Sequence, residues 1–170
     1  MSTVLSTGKR NIIVAVVIAV LVALDQVIKY LVDAFLKPVE EAMVIPNILR
    51  LRYLENDGAM MGFMEGRTTV MTVLSVICFV IIAALIFSGK IKNKVDFVSL
   101  VLICAGGFGN IIDRIFRGFV IDYIEVLFVD FYVFNFADCL ITVSAFVLFF
   151  NQIYLMYKEH KEKKAGVQNG

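Results

Sequence analysis

The chain has 170 residues, of which 60% are hydrophobic and 18% charged, with a mean hydropathy of +0.86 and a formal net charge of +1. A soluble domain carries about a quarter charged residues, so this balance excludes one and indicates a membrane protein with room for a single helical bundle. Nothing in the composition suggests a nucleic-acid partner.

Four runs approach the roughly 20 apolar residues that cross the hydrocarbon of a bilayer. The first, Ile12 to Leu24, continues helically through Asp25 and Lys29, which predicts a span over about residues 11–31. Lys9 and Arg10 precede it as in a signal peptide. No small-x-small cleavage site follows and three more spans do, so this run is expected to stay in the membrane. The connection over about residues 32–67 holds Leu49-Arg50-Leu51-Arg52-Tyr53, whose alternation suits a half-buried strand or one lying on the membrane surface. Asn56-Asp57-Gly58 then supplies a turn. The second span, about residues 68–89, has no charge, and Lys90, Lys92 and Lys94 crowd the link that follows.

The third span, about residues 97–113, includes Ala105, Gly106, Gly107 and Gly109, small residues that permit close helix packing. The connection over about residues 114–136 is β-branched and aromatic from Val120 to Phe134, punctuated by Asp122, Glu125 and Asp130. It reads as extended chain or a short interfacial helix. The fourth span covers about residues 137–157, and the charged tail after Lys158 reads as a solvated, disordered end. Cys78, Cys104 and Cys139 lie in or beside apolar runs without paired spacing and read as small packing residues.

Lysines and arginines cluster before span one, between spans two and three, and after span four, which places both termini in the cytoplasm and both long connections outside. On that topology Asp113, ending span three, and Asp138, opening span four, share one depth near the outer surface. Each follows an asparagine by three residues: Asn110-Ile111-Ile112-Asp113 and Asn135-Phe136-Ala137-Asp138. A carboxylate at a helix centre in a bilayer costs about 2.5 to 3.5 kcal/mol on insertion scales, so a matched pair calls for a reason.

Elimination narrows that reason. The single histidine, His160, lies on the tail across the bilayer from the aspartates, which leaves a serine or cysteine nucleophile without a base. No His-x-x-x-His or Cys-x-x-Cys occurs to hold zinc, and the glycines near 106 lack the Lys-Ser or Lys-Thr of a phosphate loop. A carboxylate pair sharing a proton remains, able to activate water and polarise a carbonyl with no metal or cofactor. Two plainer readings stand beside it. Each Asp caps or ends its helix at the interface with Arg114 snorkelling, and Asp25 with Lys29, at i and i+4, is an ion pair orienting span one. A small proton-coupled transporter or channel subunit, or a non-catalytic assembly subunit, also fits four spans with buried charge.

Five motifs in order, Asp25-Gln26-x-x-Lys29, Asn56-x-Gly58-Ala59, Gly109-Asn110-x-x-Asp113-Arg114, Gly118-Phe119-Val120-x-Asp122 and Phe134-Asn135-x-Ala137-Asp138, resemble bacterial lipoprotein signal peptidase, or signal peptidase II. The resemblance covers nearly the whole chain. It implies a four-span, all-α membrane protein with a small extracytoplasmic β element and an interfacial helix, residues 1–170 forming one domain in the bacterial cytoplasmic membrane. The implied activity is that of an aspartyl endopeptidase, which cuts prolipoproteins just before the diacylglyceryl-cysteine. It would work as a monomer among membrane lipids, with its active site at the outer face. It also implies Asp113 and Asp138 as the catalytic pair, supported by Asp25, Lys29, Asn56, Gly58, Asn110, Arg114, Asp122, Asn135 and Ala137. Two departures concern substrate fit: Met60 and Met61 replace the family's usual Ala-Phe, and Ala105-Gly106-Gly107-Phe108 stands where paired glycines are usual.

Overall fold

The computed structural model describes residues 7–58 and 68–168, with side chains described to residue 164. Ala59, Met60 and Met61 lie outside the described residues. Four helices carry the fold: α1 (Thr7–Leu31), α2 (Thr68–Phe87), α3 (Lys94–Phe116) and α4 (Phe136–Gln168). Each is long and apolar enough to cross a membrane. The end of α1 widens into a π turn over Val32–Leu36, where the Lys37 N–H reaches back to the Val32 carbonyl at 3.1 Å. Beyond this turn, no interfacial helix occurs in the connections among the described residues.

Helix α3 is the hub on which α1, α2 and α4 pack. Small residues make this possible. At Gly106 a side chain would overlap the Ala137 carbonyl and Ile141 of α4, and at Gly109 a Cβ would lie 2.5 Å from the Asp25 carboxylate. Val14, Ile86, Val101 and Cys104 form one core between α1, α2 and α3, while Phe79 stacks on Phe108 at 4.8 Å. Outward-facing Val73, Ile77, Val80, Phe146 and Phe150 stay exposed, as suits helices whose solvent is lipid. Cys78, Cys104 and Cys139 are free thiols.

Several helices run past the hydropathy reading, with α1 beginning at Thr7 and α3 ending at Phe116, and two of the extensions have a visible cause. Helix α3 starts at Lys94 because the Asn93 side chain accepts from Val95 N at 2.8 Å and Asp96 N at 3.2 Å, a polar cap that an apolar count overlooks. The charged tail is helical to Gln168, because its Lys, Glu and Ala content favours helix and Lys158 faces Glu162 one turn on.

The connections at one end of the bundle build an antiparallel sheet in the order β1 (Glu41–Ile45), β2 (Leu49–Asn56), β3 (Val120–Val126). The alternating run from Leu49 is β2. Its register with β3 slips between Leu51 and Leu54: Leu51 faces Ile124 but Leu54 faces Asp122. Such a bulge bends a strand and re-aims its side chains. Strand β3 is buried from Val120 to Tyr123, and Val32, Leu36, Ile121 and Tyr123 form a second core that seats the sheet on the end of α1.

Candidate active site

Four aspartates converge where α1, α3, β3 and α4 meet, and their partners divide them into two groups. In the first, the Lys29 ammonium contacts Asp25 Oδ2 at 2.9 Å, Asp113 Oδ2 at 2.8 Å and Asn110 Oδ1 at 2.9 Å, with Lys29 and Asp113 0% exposed and Asp25 1%. Arg117 also pairs with Asp113, and its guanidinium donates to Gln26 Oε1 at 3.0 Å. Gln26 donates in turn to Asp113 Oδ1 at 3.0 Å and Asp25 Oδ2 at 3.2 Å. Two carboxylates and two cations thus close a compact, charge-balanced cluster.

The second group is held by amides. Asp122 accepts from Asn135 Nδ2 at 2.6 Å and Asn56 Nδ2 at 2.7 Å. Asp138 accepts from Asn110 Nδ2 at 2.8 Å and from the Asn135 N–H at 3.2 Å, while its own N–H donates to Asn135 Oδ1 at 2.9 Å. That reciprocal exchange is a helix N-cap, so the second Asn-x-x-Asp does cap α4 as well as carry its carboxylate into the cluster. Burial first, and then the nearby Asp138 charge, push the Asp122 carboxyl up to about 7. Arg114, half-buried, is attracted by Asp138, Asp122 and Asp113 in that order, yet its Nε has no hydrogen-bond partner among the described residues.

Local geometry explains how each donor arrives. Gly58 adopts φ +99°, a conformation that glycine accepts readily, and its N–H closes a turn on Asn56 Oδ1 at 3.0 Å, which leaves Nδ2 free for Asp122. Ala137 is 0% exposed against Gly106, so its small side chain permits the α3–α4 approach that brings Asn110 to Asp138. Every catalytic or supporting residue named from the sequence therefore falls in or beside this site. Asp113 and Asp138 are linked through Lys29 and Asn110, whereas Asp122 and Asp138 share Asn135. Sequence reasoning passed over Arg117 and left Gln26 without a role. The i, i+4 spacing of Asp113 and Arg117 was the available signal for the first.

A family model described as signal peptidase (SPase) II matches residues 17–154. A lipoprotein signal peptidase of Lactobacillus johnsonii is 32% identical over 158 residues, 93% of this chain and 100% of the relative. One of Streptococcus thermophilus is 36% identical over 152 residues, 88% of this chain and 95% of the relative. Among solved structures, a bacterial membrane enzyme determined by the in meso method at 2.3 Å superimposes with a TM-score of 0.73 at 29% identity, covering 85% of this chain and 87% of that one.

Proposed function

The chain belongs to the signal peptidase II family, and from its site we propose that it is an aspartyl endopeptidase of prolipoproteins whose reacting pair is Asp122 and Asp138. It is a multi-pass membrane protease by family and by its four apolar helices. The relatives' names support the substrate class, and the motif resemblance supports the scissile bond, the peptide just before the diacylglyceryl-modified cysteine. The lysine clusters support placing the site at the outer face of the bacterial cytoplasmic membrane. Cysteines introduced at Asp57 or Glu125 should then label with an impermeant thiol reagent from outside, and one at Lys92 only from the cytoplasm.

One observation carries the choice of pair. Asp113, which the Asn-x-x-Asp echo nominates, already has both carboxylate oxygens taken up by fixed donors, Lys29 on one and Arg117 and Gln26 on the other. Asp122 and Asp138 have asparagine partners and feel each other's charge. With Asp122 pushed up to about 7, a proton is available on it near neutral pH. Asp138 is partly exposed, opens α4, and faces Arg114, the Asn110 amide and a backbone N–H, all of which compensate negative charge.

In the proposed reaction Asp138 takes a proton from water as the water oxygen bonds to the scissile carbonyl carbon, while protonated Asp122 donates to the carbonyl oxygen. Collapse of the tetrahedral intermediate breaks the C–N bond: the proton held by Asp138 passes to the departing amine, and the hydroxyl formed from the carbonyl oxygen returns its proton to Asp122 as the new carboxyl group forms. No covalent enzyme intermediate forms. The test is cleavage of a synthetic diacylglyceryl-modified prolipoprotein by purified protein, with the new N-terminus read by mass spectrometry. Absence of cleavage by the folded protein would sink the reading. Full activity of Asp122→Asn would remove Asp122 from the pair and return Asp113 to it.

A further inference from the structure

The buried ion-pair cluster and the proposed reacting pair are joined by one side chain, Asn110, and the chemistry of that joint is directional. A lysine ammonium offers three hydrogen-bond donors and no acceptor. Wherever it meets an asparagine amide it therefore meets the oxygen. Lys29 Nζ contacts Asn110 Oδ1 at 2.9 Å, its other two contacts being Asp25 and Asp113. With the oxygen held on that side, the Asn110 NH2 points the opposite way, onto Asp138 Oδ1 at 2.8 Å. A flipped amide would set Oδ1 against a carboxylate oxygen and NH2 against an ammonium, losing the hydrogen bonds to both charged groups and opposing like partial charges at each.

The same oxygen governs a second amide. Asn135 Nδ2 donates to Asn110 Oδ1 at 3.2 Å and to Asp122 Oδ1 at 2.6 Å. The other side of the Asn135 amide is fixed by the Asp138 N–H on its Oδ1. Asn110 Oδ1 thus receives Lys29 on one side and Asn135 on the other, and each asparagine presents its NH2 to a different aspartate of the proposed pair.

We propose that Lys29 is a positioning residue for catalysis: acting through the Asn110 amide, it orients the donors that hold Asp138 and Asp122 in their reacting geometry. This goes beyond an ion pair that orients α1, and it rests on the Asp122–Asp138 reading. It also explains a lysine so fully enclosed. Its partners Asp25 and Asp113 balance its charge in the bundle, which leaves its third donor for the asparagine.

The test is a double-mutant cycle on kcat and KM for the lipid-modified substrate, using wild type, Lys29→Met, Asn110→Ala and the double variant. Lys29→Met should lower kcat at least tenfold with KM changed less than twofold. In the Asn110→Ala background the same change should cost less than threefold, because nothing remains for Lys29 to orient. An equal loss in both backgrounds would overturn the proposal and leave Lys29 a fold residue. Should Lys29→Met fail to fold, Asn110→Asp serves instead: it keeps a partner for Lys29 but sets an acceptor against Asp138. That variant should fold and lose at least a hundredfold in kcat, and near-normal kcat would overturn the relay. Failure of wild type to cleave would refute the function instead, so the two outcomes are distinct.

Discussion

The two halves of the site use the same acid for opposite ends. Around Lys29, the carboxylates of Asp25 and Asp113 meet an ammonium and a guanidinium at contact distance, and all but Arg117 are sealed from solvent. A few ångströms along the same network, Asp122 and Asp138 meet asparagine amides, which orient a carboxylate without neutralising it. Removing one member of a buried ion pair strands a charge, so the first arrangement is committed to holding α1 against α3. The second leaves a proton free to move. On the proposed assignment, the charge of an aspartate's neighbours, and not its depth or the motif around it, sets its role.

The largest effects should separate the halves outright. Asp122→Asn and Asp138→Asn are each expected to lower kcat by about a thousandfold or more, as loss of a general acid or base does, in proteins that still fold and bind substrate. Asp113→Asn should instead cost about 3 to 5 kcal/mol of stability by leaving Lys29 and Arg117 short of a partner, read as loss of folded protein in detergent. A folded, inactive Asp113→Asn beside an active Asp122→Asn would reverse the assignment.

The pH dependence sharpens the same contrast. An unfolded chain loses the Asp122 proton near 3.8, whereas the folded protein keeps it to about 7. Between those values the native state binds more protons, so stability falls as pH rises and levels off above about 7. Glu125, held low by Arg50, acts in the other direction and only in acid. Thermal unfolding from pH 4.5 to 7.5 should show a decline that Asp122→Asn removes. Cleavage should also fall on the alkaline side of about 7 as the proposed acid ionises. A decline unchanged in Asp122→Asn would place the titrating group elsewhere.

Much of this molecule is legible along the chain because much of it is local. Hydropathy marks the four helices, alternation marks β2, and spacing puts Gly106, Gly109, Asn110 and Asp113 on one buried face of α3. What stays hidden is set by distant segments. Lys29 has Asp25 one turn away and reads as its partner, yet it also grips Asp113 and Asn110 on another helix. Asp122 lies on β3, in a stretch with no echo of the asparagine motif, and its partners Asn56 and Asn135 arrive from β2 and the start of α4. The bulge between Leu51 and Leu54, which brings Leu54 opposite Asp122, has no local sign in the sequence.

Glycine substitutions probe how tightly the two halves are pressed together. Gly109→Ala drives a methyl into the Asp25 carboxylate and Gly106→Ala drives one into the α4 backbone, so each should cost about 1 to 3 kcal/mol as overpacking. Gly107, between them in sequence, faces open space. There Gly107→Ala should be neutral or stabilise by up to about 1 kcal/mol through helix propensity. Unfolding in detergent checks all three, and equal losses at 106 and 107 would contradict the packing.

The smallest effect comes from repeating the comparison just past α1, at the π turn. Asp33 and Lys37 stand i, i+4 just as Asp25 and Lys29 do, but the side chains of the former are 48% and 50% exposed against 1% and 0%. Lys37 sits 3.6 Å from Asp33 and 2.9 Å from Glu55, a better-connected cation on paper than many. Water solvates it whether or not those partners are present, salt screens it, and ordering its long side chain costs entropy, so its pairing adds little. Lys37→Ala should therefore leave Tm within about 1 °C and kcat unchanged, while Lys29→Met fails on one or both. If Lys37→Ala unfolded the protein, spacing and contact would outweigh burial in deciding what a charge pair contributes here, and the division between the two halves of the site would lose its physical basis.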